Sequence, residues 1–376
     1  MIQPFRRKRL KNAIEQVLAP AGIAIDGTQP HDVRVLDDRF YDAFFTDGFS
    51  GIRDAYVEGW WETDRLDDTT YRVLSTRVPL EFASRLTLAA NVLAARVMNL
   101  QSTRRANQAR AHYDLSDELF AGMLDRRKIY SCGYWRSAST LDDAQEAKLD
   151  LICRKLQLQP GMRVLDIGCG WGGLAHFAAE RYGVSVVGVT VSRDQARLAS
   201  ETCAGLPIVI RLADYRTLRG EQFDAIASVG MFEHVGYKNY RRFFEIATAL
   251  LKPEGLFLLH TIGANTSVKV LDPWLDRNIF PNAHLPSARQ ITEAAEGLLV
   301  LEDWHNFGAD YDRTLMAWYN NFERAWPSLR ARHGERFRRM WICYLLTCAA
   351  LFRARVTQLW QIVFSAGREG IYAVIR

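Results

Sequence analysis

The 376-residue sequence lacks several features that would assign it to common classes of protein. Its six cysteines form no C-x-x-C pair and no spacing with histidine that suits a metal, so we expect reduced thiols, a cytoplasmic protein and no metal site. A basic run, residues 6–9, is followed by no apolar segment with a cleavage site, so we predict no signal peptide. The longest apolar run, residues 341–352, is too short to span a bilayer. Repeats and low-complexity tracts are also missing.

Strong charge of one sign is missing as well. The 48 Lys and Arg residues against 43 Asp and Glu residues give a net charge of +5, which suits an anionic membrane surface or a nucleic acid without requiring either. The basic residues are scattered, and the Asn/Asp-Pro-Pro-aromatic motif of amino-methylating enzymes is absent, so we predict no nucleic-acid partner. A peripheral contact with the inner face of the cell membrane has three candidate clusters, each of which alone fits a solvated basic face. They are residues 6–11; Arg104, Arg105 and Arg110; and Arg330, Arg332, Arg336, Arg338 and Arg339.

A glycine-rich turn is the most informative feature that is present. An apolar strand ends at Asp166 and Ile167, glycines follow at 168, 170, 172 and 173, and residues 174–182 have helical spacing. Such a turn lets a nucleotide-like cofactor lie against the backbone and the N-terminus of the next helix. The second strand ends at Thr190 without the acidic residue typical of dinucleotide binders. An acid before the glycines is instead the pattern of S-adenosylmethionine-dependent methyltransferases.

The order of apolar segments predicts an α/β fold, a Rossmann-like methyltransferase domain with a mostly parallel sheet, preceded by a small N-terminal α/β domain. We predict an N-terminal membrane- or lipid-docking domain at 1–100, a polar linker at 101–111 and a catalytic domain at 112–376. In the first domain we expect a helix over 5–18, strand and turn over 33–36 and 40–49, and a helix from Asp54. After an irregular insertion at 263–300 we expect helices to the C-terminus. The predicted strands of the catalytic domain are 163–167, 185–189, 208–212, 223–229 and 256–260.

Five segments together resemble the cyclopropane-fatty-acyl-phospholipid synthase family, which is related to the mycolic acid cyclopropane synthases. The glycine turn is shared by many methyltransferases, whereas the combination of Y-S-C-x-Y-W, M-F-E-H-V-G and H-T-I-G is specific. The segments are 130–135, 165–173, 230–236, 259–263 and 307–311. The resemblance implies an enzyme that adds a methylene from S-adenosyl-L-methionine across a cis double bond in an acyl chain of a membrane phospholipid. It further implies a bound bicarbonate ion as general base and a homodimer.

The resemblance places the bicarbonate ion among five residues and adds Glu302 as a partner for Tyr311. Taken without the resemblance, the residues favour a packing role for Cys132 and a functional role for His260 at a strand end. Glu233 fits a site residue and a surface residue equally well, and Tyr311 is by default a core residue. We expect Glu233 to position His260 or to accept the bicarbonate proton. The five residues of this bicarbonate cage are Cys132, Glu233, His260, Tyr311 and Ile262, the last through its backbone amide.

The cofactor is expected to contact three sets of residues. The resemblance assigns the amino-acid half to the glycines under a cap from segment 130–131, and the ribose and adenine to residues after the second and third strands. The set is Tyr130, Ser131, Asp166, Gly168, Gly170, Gly172, Thr190, Val191, Gln195, Asp214 and Tyr215. Cys348 matches a family cysteine segment sometimes suspected of a catalytic role, but its apolar, helical neighbours favour a structural cysteine.

Two alternatives remain open at this point. One is a related acyl-chain methyltransferase whose product is methyl- or methylene-branched. The other is a lipid- or cofactor-binding module without catalysis.

Overall fold

The computed structural model describes residues 2–76, 117–267 and 272–376, with side chains from residue 7 onward. The predicted linker, its three arginines and the boundaries at 100 and 112 therefore lie outside the described residues, and the division into two domains stays a prediction. The helices of the described part are α1 (Ile2–Leu18), α2 (Arg39–Val57), α3 (Leu66–Ser75), α4 (Asp117–Met123), α5 (Leu141–Lys155), α6 (Gly173–Tyr182), α7 (Arg193–Thr202), α8 (Tyr240–Leu250), α9 (Pro273–Asn278), α10 (Ala288–Ala295) and α11 (Ala309–Arg353).

The predicted mostly parallel sheet is confirmed. A short pair, β1 (Arg34–Val35) and β2 (Trp61–Glu62), lies in the N-terminal part. The strands of the main sheet are β3 (Arg163–Ile167), β4 (Ser185–Thr190), β5 (Ile208–Leu212), β6 (Phe223–Val229), β7 (Leu251–Ala264), β8 (Val300–Asn306) and β9 (Thr357–Ser365). Their order is β5-β4-β3-β6-β7-β9-β8, and β9 alone runs antiparallel to the other six strands. The chain leaves β3 toward one edge and returns at β6 on its other side, which opens a crevice at the carboxyl ends of these two strands.

Three local predictions are wrong. Residues 40–49 belong to helix α2 because Phe40, Tyr41 and Phe44 fall on its buried face, although aromatic residues favour strands in isolation. The C-terminal region contains β8 and β9 as well as helix. The sequence analysis missed β9 because this strand is buried along most of its length and shows no alternation of polar and apolar residues. The insertion at 263–300 contains the short helices α9 and α10.

The N-terminal elements share a hydrophobic core with the C-terminal helix. One cluster of buried side chains joins Ile14 and Phe40 to Trp318 and Trp341. Polar contacts cross the same boundary: the Arg353 guanidinium lies 2.9 Å from the Asp67 carboxylate, and other ion pairs link α2 with α9. Residues before 77 are thus packed directly on α11, which begins next to the crevice of the sheet.

Candidate active site

The glycine turn after β3 forms the floor of a cavity of about 230 Å³ at the carboxyl ends of the strands. Gly170 has φ +55°, and a Cβ added there would meet no atom within 4 Å, so this glycine faces open space. The crevice is narrow at Gly168, because a Cβ added to this residue would lie only 2.7 Å from Met231 in the loop after β6. The backbone of the turn therefore approaches whatever fills the cavity.

Ten of the eleven predicted cofactor residues line this cavity. They are Tyr130, Ser131, Asp166, Gly168, Gly170, Thr190, Val191, Gln195, Asp214 and Tyr215. Gly172 does not: its Cβ would lie 2.9 Å from the Cys203 sulfur, so it packs against the end of α7. The expectation for Gly172 is corrected to a packing role in a left-handed turn, where φ is +83°.

The far end of the cavity is held by hydrogen bonds in the loops after β4 and β5. The Thr190 hydroxyl donates to the side-chain oxygen of Gln195 at 2.8 Å. The Ser192 hydroxyl caps α7 by accepting from the backbone N–H of Gln195. Asp214 binds the Arg216 guanidinium at 2.6 Å. The Tyr215 ring is fixed edge-on against Phe243, with ring centres 5.3 Å apart. This arrangement leaves a wall with hydroxyl, amide and aromatic groups and no acid at the tip of β4.

Segment 130–132 covers the other end of the cavity and is anchored by two residues that the sequence analysis did not select. The fully buried Lys148 ammonium donates to the Ser131 hydroxyl at 2.8 Å, and the Gln145 amide donates to the Ser131 carbonyl at 2.8 Å. The Tyr130 hydroxyl lies 2.8 Å from that of Tyr344. A signal for Lys148 existed, because it falls on the apolar face of α5, where a lysine needs a partner.

The acid before the glycines and this lysine form a buried pair of titratable groups. Burial raises the pKa of Asp166 to about 7, and the positive charge of Lys148 opposes that rise. Burial lowers the pKa of Lys148 to about 8, with Asp125 and Asp166 among the charges that oppose it. Both groups therefore change charge near neutral pH at the end of the cavity under the glycine turn.

A second group of polar residues lies beside the cavity and is buried from solvent. Cys132 follows the lining residue Ser131, and Glu233 lies between the lining residues Met231 and His234. His260 lies in β7 opposite Val229, the last residue of β6, and Tyr311 lies in the first turn of α11. Tyr311 and Cys132 interact electrostatically, as do Tyr311 and Glu233. Cys132, Glu233 and Tyr311 thus lie close together, and His260 adjoins them two residues before Ile262, whose amide donates to Glu233. We call these four residues the reaction cluster.

Glu233 is oriented by a backbone amide. Its Oε1 accepts from the Ile262 N–H at 2.7 Å, whereas Oε2 has no hydrogen-bond partner among the described residues. The Ile262 amide, which was expected to contact bicarbonate, donates to Glu233 here. Its contact with bicarbonate stays a prediction. Burial raises the pKa of Glu233 to about 7, and the Ile262 hydrogen bond opposes this rise. Near neutral pH a part of the Glu233 population keeps its proton and can donate it in a hydrogen bond.

His260 is neutral and presents one nitrogen to the cluster. Burial, assisted by the positive charges of Lys148 and Lys155, moves the pKa of His260 well below its ordinary value. Nδ1 lies 3.2 Å from the Gln361 Nε2 and accepts from it, which leaves the imidazole proton on Nε2. That Nε2 has no partner within the described part of the chain. In this structure Gln361 of β9, and not Glu233, contacts the His260 ring. The other expectation, that Glu233 accepts the bicarbonate proton, stays a prediction. A glutamine in an apolar strand gave no sequence signal for its contact with His260.

Tyr311 and Cys132 complete the cluster as neutral groups. The Tyr311 ring stacks on Phe352 with centres 4.5 Å apart, and burial raises the pKa of its hydroxyl. The Cys132 thiol is completely buried, donates to the Gly133 carbonyl at 3.2 Å and has a raised pKa for the same reason. Both therefore act as hydrogen-bond donors or packing groups and not as anions.

Two further candidates are not part of this cluster. Glu302 lies early in β8, where its carboxylate accepts from the Ser365 hydroxyl at 2.6 Å, and we find no contact between it and Tyr311. Its expected role as a partner of Tyr311 is therefore corrected to one in pairing β8 with β9. Cys348 lies in α11 near Tyr311, and burial raises the pKa of its thiol to about 12. A thiol protonated at neutral pH agrees with a structural cysteine.

Comparisons with known proteins agree with this geometry. The sequence model of the family described as mycolic acid cyclopropane synthetase matches residues 100–362. The chain is 52% identical to the cyclopropane-fatty-acyl-phospholipid synthase of Escherichia coli (strain K12), over 96% of this chain and 94% of that protein. It is 36% identical to the cyclopropane mycolic acid synthase MmaA2 of Mycobacterium tuberculosis (strain ATCC 25618 / H37Rv), over 67% of this chain and 94% of that protein.

Solved structures of similar fold include relatives and a more distant methyltransferase. The mycolic acid cyclopropane synthase CmaA1 complexed with SAH and CTAB has a TM-score of 0.63 and 34% identity, and the match covers 69% of this chain and 97% of that one. A coclaurine N-methyltransferase has a TM-score of 0.69 over 84% of this chain at 22% identity, which shows the shared fold alone.

Proposed function

The chain belongs to the mycolic acid cyclopropane synthetase family, and from that membership we propose that it forms cyclopropane rings on cis-unsaturated acyl chains of phospholipids, with S-adenosylmethionine as methylene donor. The observation that carries the proposal is the cavity at the glycine turn, whose lining residues Ser131, Met231 and His234 adjoin a buried cluster with two unpartnered polar atoms. Glu233 Oε2 and His260 Nε2 are free to bind a small polar group beside the cavity, and such a group would satisfy both of them.

The proposed reaction explains why the cluster is buried from solvent. Transfer of the sulfonium methyl to the alkene breaks a C–S bond, forms a C–C bond and leaves a positive carbon, and loss of a proton from the new methyl group closes the ring. Water would trap that carbon, so the site must exclude it. Cys132 and His260 are at most 1% exposed, and Glu233 and Tyr311 at most 8%. Their protonation states supply no thiolate or phenolate that would attack the cation.

The unpartnered atoms of the cluster fit a small oxyanion such as bicarbonate, which would supply the base for that proton. The neutral His260 offers an N–H to such an ion, and the protonated fraction of Glu233 offers an O–H. The lysines that lower the pKa of His260 also make the electrostatic potential at the reaction cluster positive. Activity in buffer freed of carbon dioxide, with and without added bicarbonate, tests this part. No dependence on bicarbonate would leave the ring-forming reaction standing and remove the proposed base.

Product analysis tests the reaction itself. Vesicles of a phospholipid with one oleoyl chain, incubated with S-adenosylmethionine, should yield a chain heavier by one CH₂ unit that carries no double bond. A methylene-branched chain that hydrogenation reduces would favour the related methyltransferase. Binding of the cofactor without release of S-adenosylhomocysteine would favour the non-catalytic module.

We also propose a peripheral contact with anionic membrane and a homodimer. Among the helices that the structure describes, none combines the length and apolar character needed to cross a bilayer. Arg332, Arg336 and Arg338 form ion pairs with glutamates, so they contribute little free positive charge. The support for the membrane contact is therefore the N-terminal run, where Lys8 and Arg9 are exposed. Co-sedimentation with anionic but not zwitterionic vesicles tests the contact, and the molar mass in solution tests the dimer.

A further inference from the structure

A second cavity lies between the N-terminal helices and α11. Its volume is about 150 Å³, and its walls come from α2, α3 and the α11 residues Cys343, Thr347 and Leu351. Helix α2 bends around it at Gly48, where φ is +54°, and presents Phe44 and Phe49 to it. The family match accounts for the cofactor cavity but says nothing of this one.

The walls of this second cavity are apolar and electrically neutral. Phenylalanine, leucine, valine, isoleucine and tryptophan side chains make up most of the lining. Among the described residues that line it, only Arg53 and Asp272 are charged, and they pair with each other at 2.6 Å. Arg53 also lies over the Trp274 ring, 5.2 Å from its centre. The cavity therefore offers no unpaired charge that would bind a cationic or anionic ligand, whereas a hydrocarbon chain could enter it without losing a polar interaction.

The cavity and the reaction cluster are separated by one helix. Cys343, Thr347 and Leu351 are spaced four residues apart and share one face of α11. Phe352, one residue beyond Leu351, lies on the neighbouring face and stacks on Tyr311. A single acyl chain with its double bond at Tyr311 would have to turn around α11 to enter the second cavity, whereas a second chain of the same molecule would lie on the other side of the helix.

The N-terminal segment that forms part of the cavity wall lies in the region of this chain that the phospholipid synthase relative covers and the mycolic acid family match does not. Its N-terminal walls fall between residues 17 and 74, outside the family match at 100–362. The relative named for a phospholipid covers 96% of this chain, and the relative named for mycolic acid covers 67%. A diacyl phospholipid always brings a second chain to the enzyme, and that chain needs an apolar site once the lipid leaves the bilayer.

We propose that this second cavity holds the methyl end of the phospholipid's other acyl chain while the unsaturated chain lies at the reaction cluster. The inference rests on the proposed function. A cavity of this volume lined by Leu, Ile and Phe admits a ligand of benzene size, so about six terminal carbons of the chain would fit.

Photolabelling of the wild-type chain tests the inference without turnover. Vesicles contain a phospholipid with one oleoyl and one palmitoyl chain, and a diazirine is placed at the end of either chain. Label on the palmitoyl end should appear in peptides of 39–57 and 343–351. Label from the oleoyl end in these peptides, or label from the palmitoyl end only elsewhere, would overturn the proposal. Because labelling needs no reaction, a failed product assay would count against the proposed function alone.

A cavity-filling variant gives an independent readout. Val73→Phe places a ring in the cavity, and Ser75→Phe adds the same ring at an exposed position of the same helix. Val73→Phe should raise KM for the diacyl lipid about tenfold and leave KM for a single-chain oleoyl lysophospholipid nearly unchanged, because only the former loses chain burial. Ser75→Phe should change neither. Equal KM changes for both lipids in Val73→Phe would contradict the proposal; if that variant does not bind S-adenosylmethionine, the labelling result decides.

Discussion

The cofactor cavity and the reaction cluster adjoin each other but are built in different ways. The cavity consists largely of backbone and short side chains in loops that follow strands β3 to β6, such as Gly168, Gly170 and Thr190. The cluster consists of side chains from four separate segments, and its key atoms are buried without a partner. The difference teaches that cofactor binding and catalysis depend on separable features, so that variants should affect one with little change in the other.

The largest effect should come from the cluster. Glu233→Gln keeps the shape of the side chain and the contact with the Ile262 amide but loses the titrating proton, so we expect kcat to fall by about 10²- to 10⁴-fold. The Kd of S-adenosylmethionine, measured by calorimetry, should stay within about twofold because this residue does not line the cavity. Glu302→Gln is the matched control, since Glu302 contacts Ser365 away from the cluster, and it should retain activity. An equal loss of kcat in both variants would show that the residues of the reaction cluster are wrongly assigned.

A smaller, opposite effect should come from the glycine turn. Gly170→Ala puts a methyl group into the space that faces the cavity and also strains a left-handed residue, so cofactor affinity should fall by about tenfold while kcat at saturation changes little. In Gly172→Ala the new Cβ meets Cys203 instead, so the melting temperature should fall with little loss of affinity. If Gly172→Ala weakens the cofactor as much as Gly170→Ala does, the two glycines do not differ in the way proposed here.

The smallest effect concerns charge at the cavity. As pH rises from about 6 to 9, Asp166 becomes an anion and Lys148 becomes neutral, and both changes favour a bound sulfonium cation. The affinity for S-adenosylmethionine relative to neutral-sulfur S-adenosylhomocysteine should therefore rise by roughly threefold or more. The comparison of the two ligands cancels titration of their shared amino group. In Lys148→Met the rise should move to higher pH, because this lysine holds down the pKa of Asp166. A ratio that falls with pH would contradict the assignment.

Local patterns predicted the cofactor region well. Strands β3, β5 and β6 were predicted with the bounds they have, because each is a short apolar run between turn residues. Asp166, Gly170, Thr190 and the other lining residues followed from their positions after these strands. Segment 40–49 and the two C-terminal strands were mispredicted, because aromatic content and unbroken apolar runs do not distinguish helix from strand without their packing partners.

The reaction cluster was predicted only as far as the family resemblance reached. Cys132, Glu233 and Tyr311 lie close enough to interact electrostatically, while the joint role of these residues and His260 stays a prediction. The hydrogen-bond partner of each residue depends on the tertiary structure. Gln361 rather than Glu233 orients His260, and Ile262 holds Glu233. Lys148 could have been found by its place on an apolar helix face, whereas Gln361 could not.

The sequence by itself determined strands β3 to β6, the glycine turn and the residues that follow these strands, because these depend on periodicity and on backbone freedom over a few neighbouring positions. Only the tertiary structure decided which polar atoms are buried without a partner, which way Gly172 and Glu302 are directed, and that the N-terminal helices and α11 enclose a second apolar cavity. The physical reason is that burial, and with it the pKa of Glu233, His260, Asp166 and Lys148, depends on contacts between segments far apart in the chain.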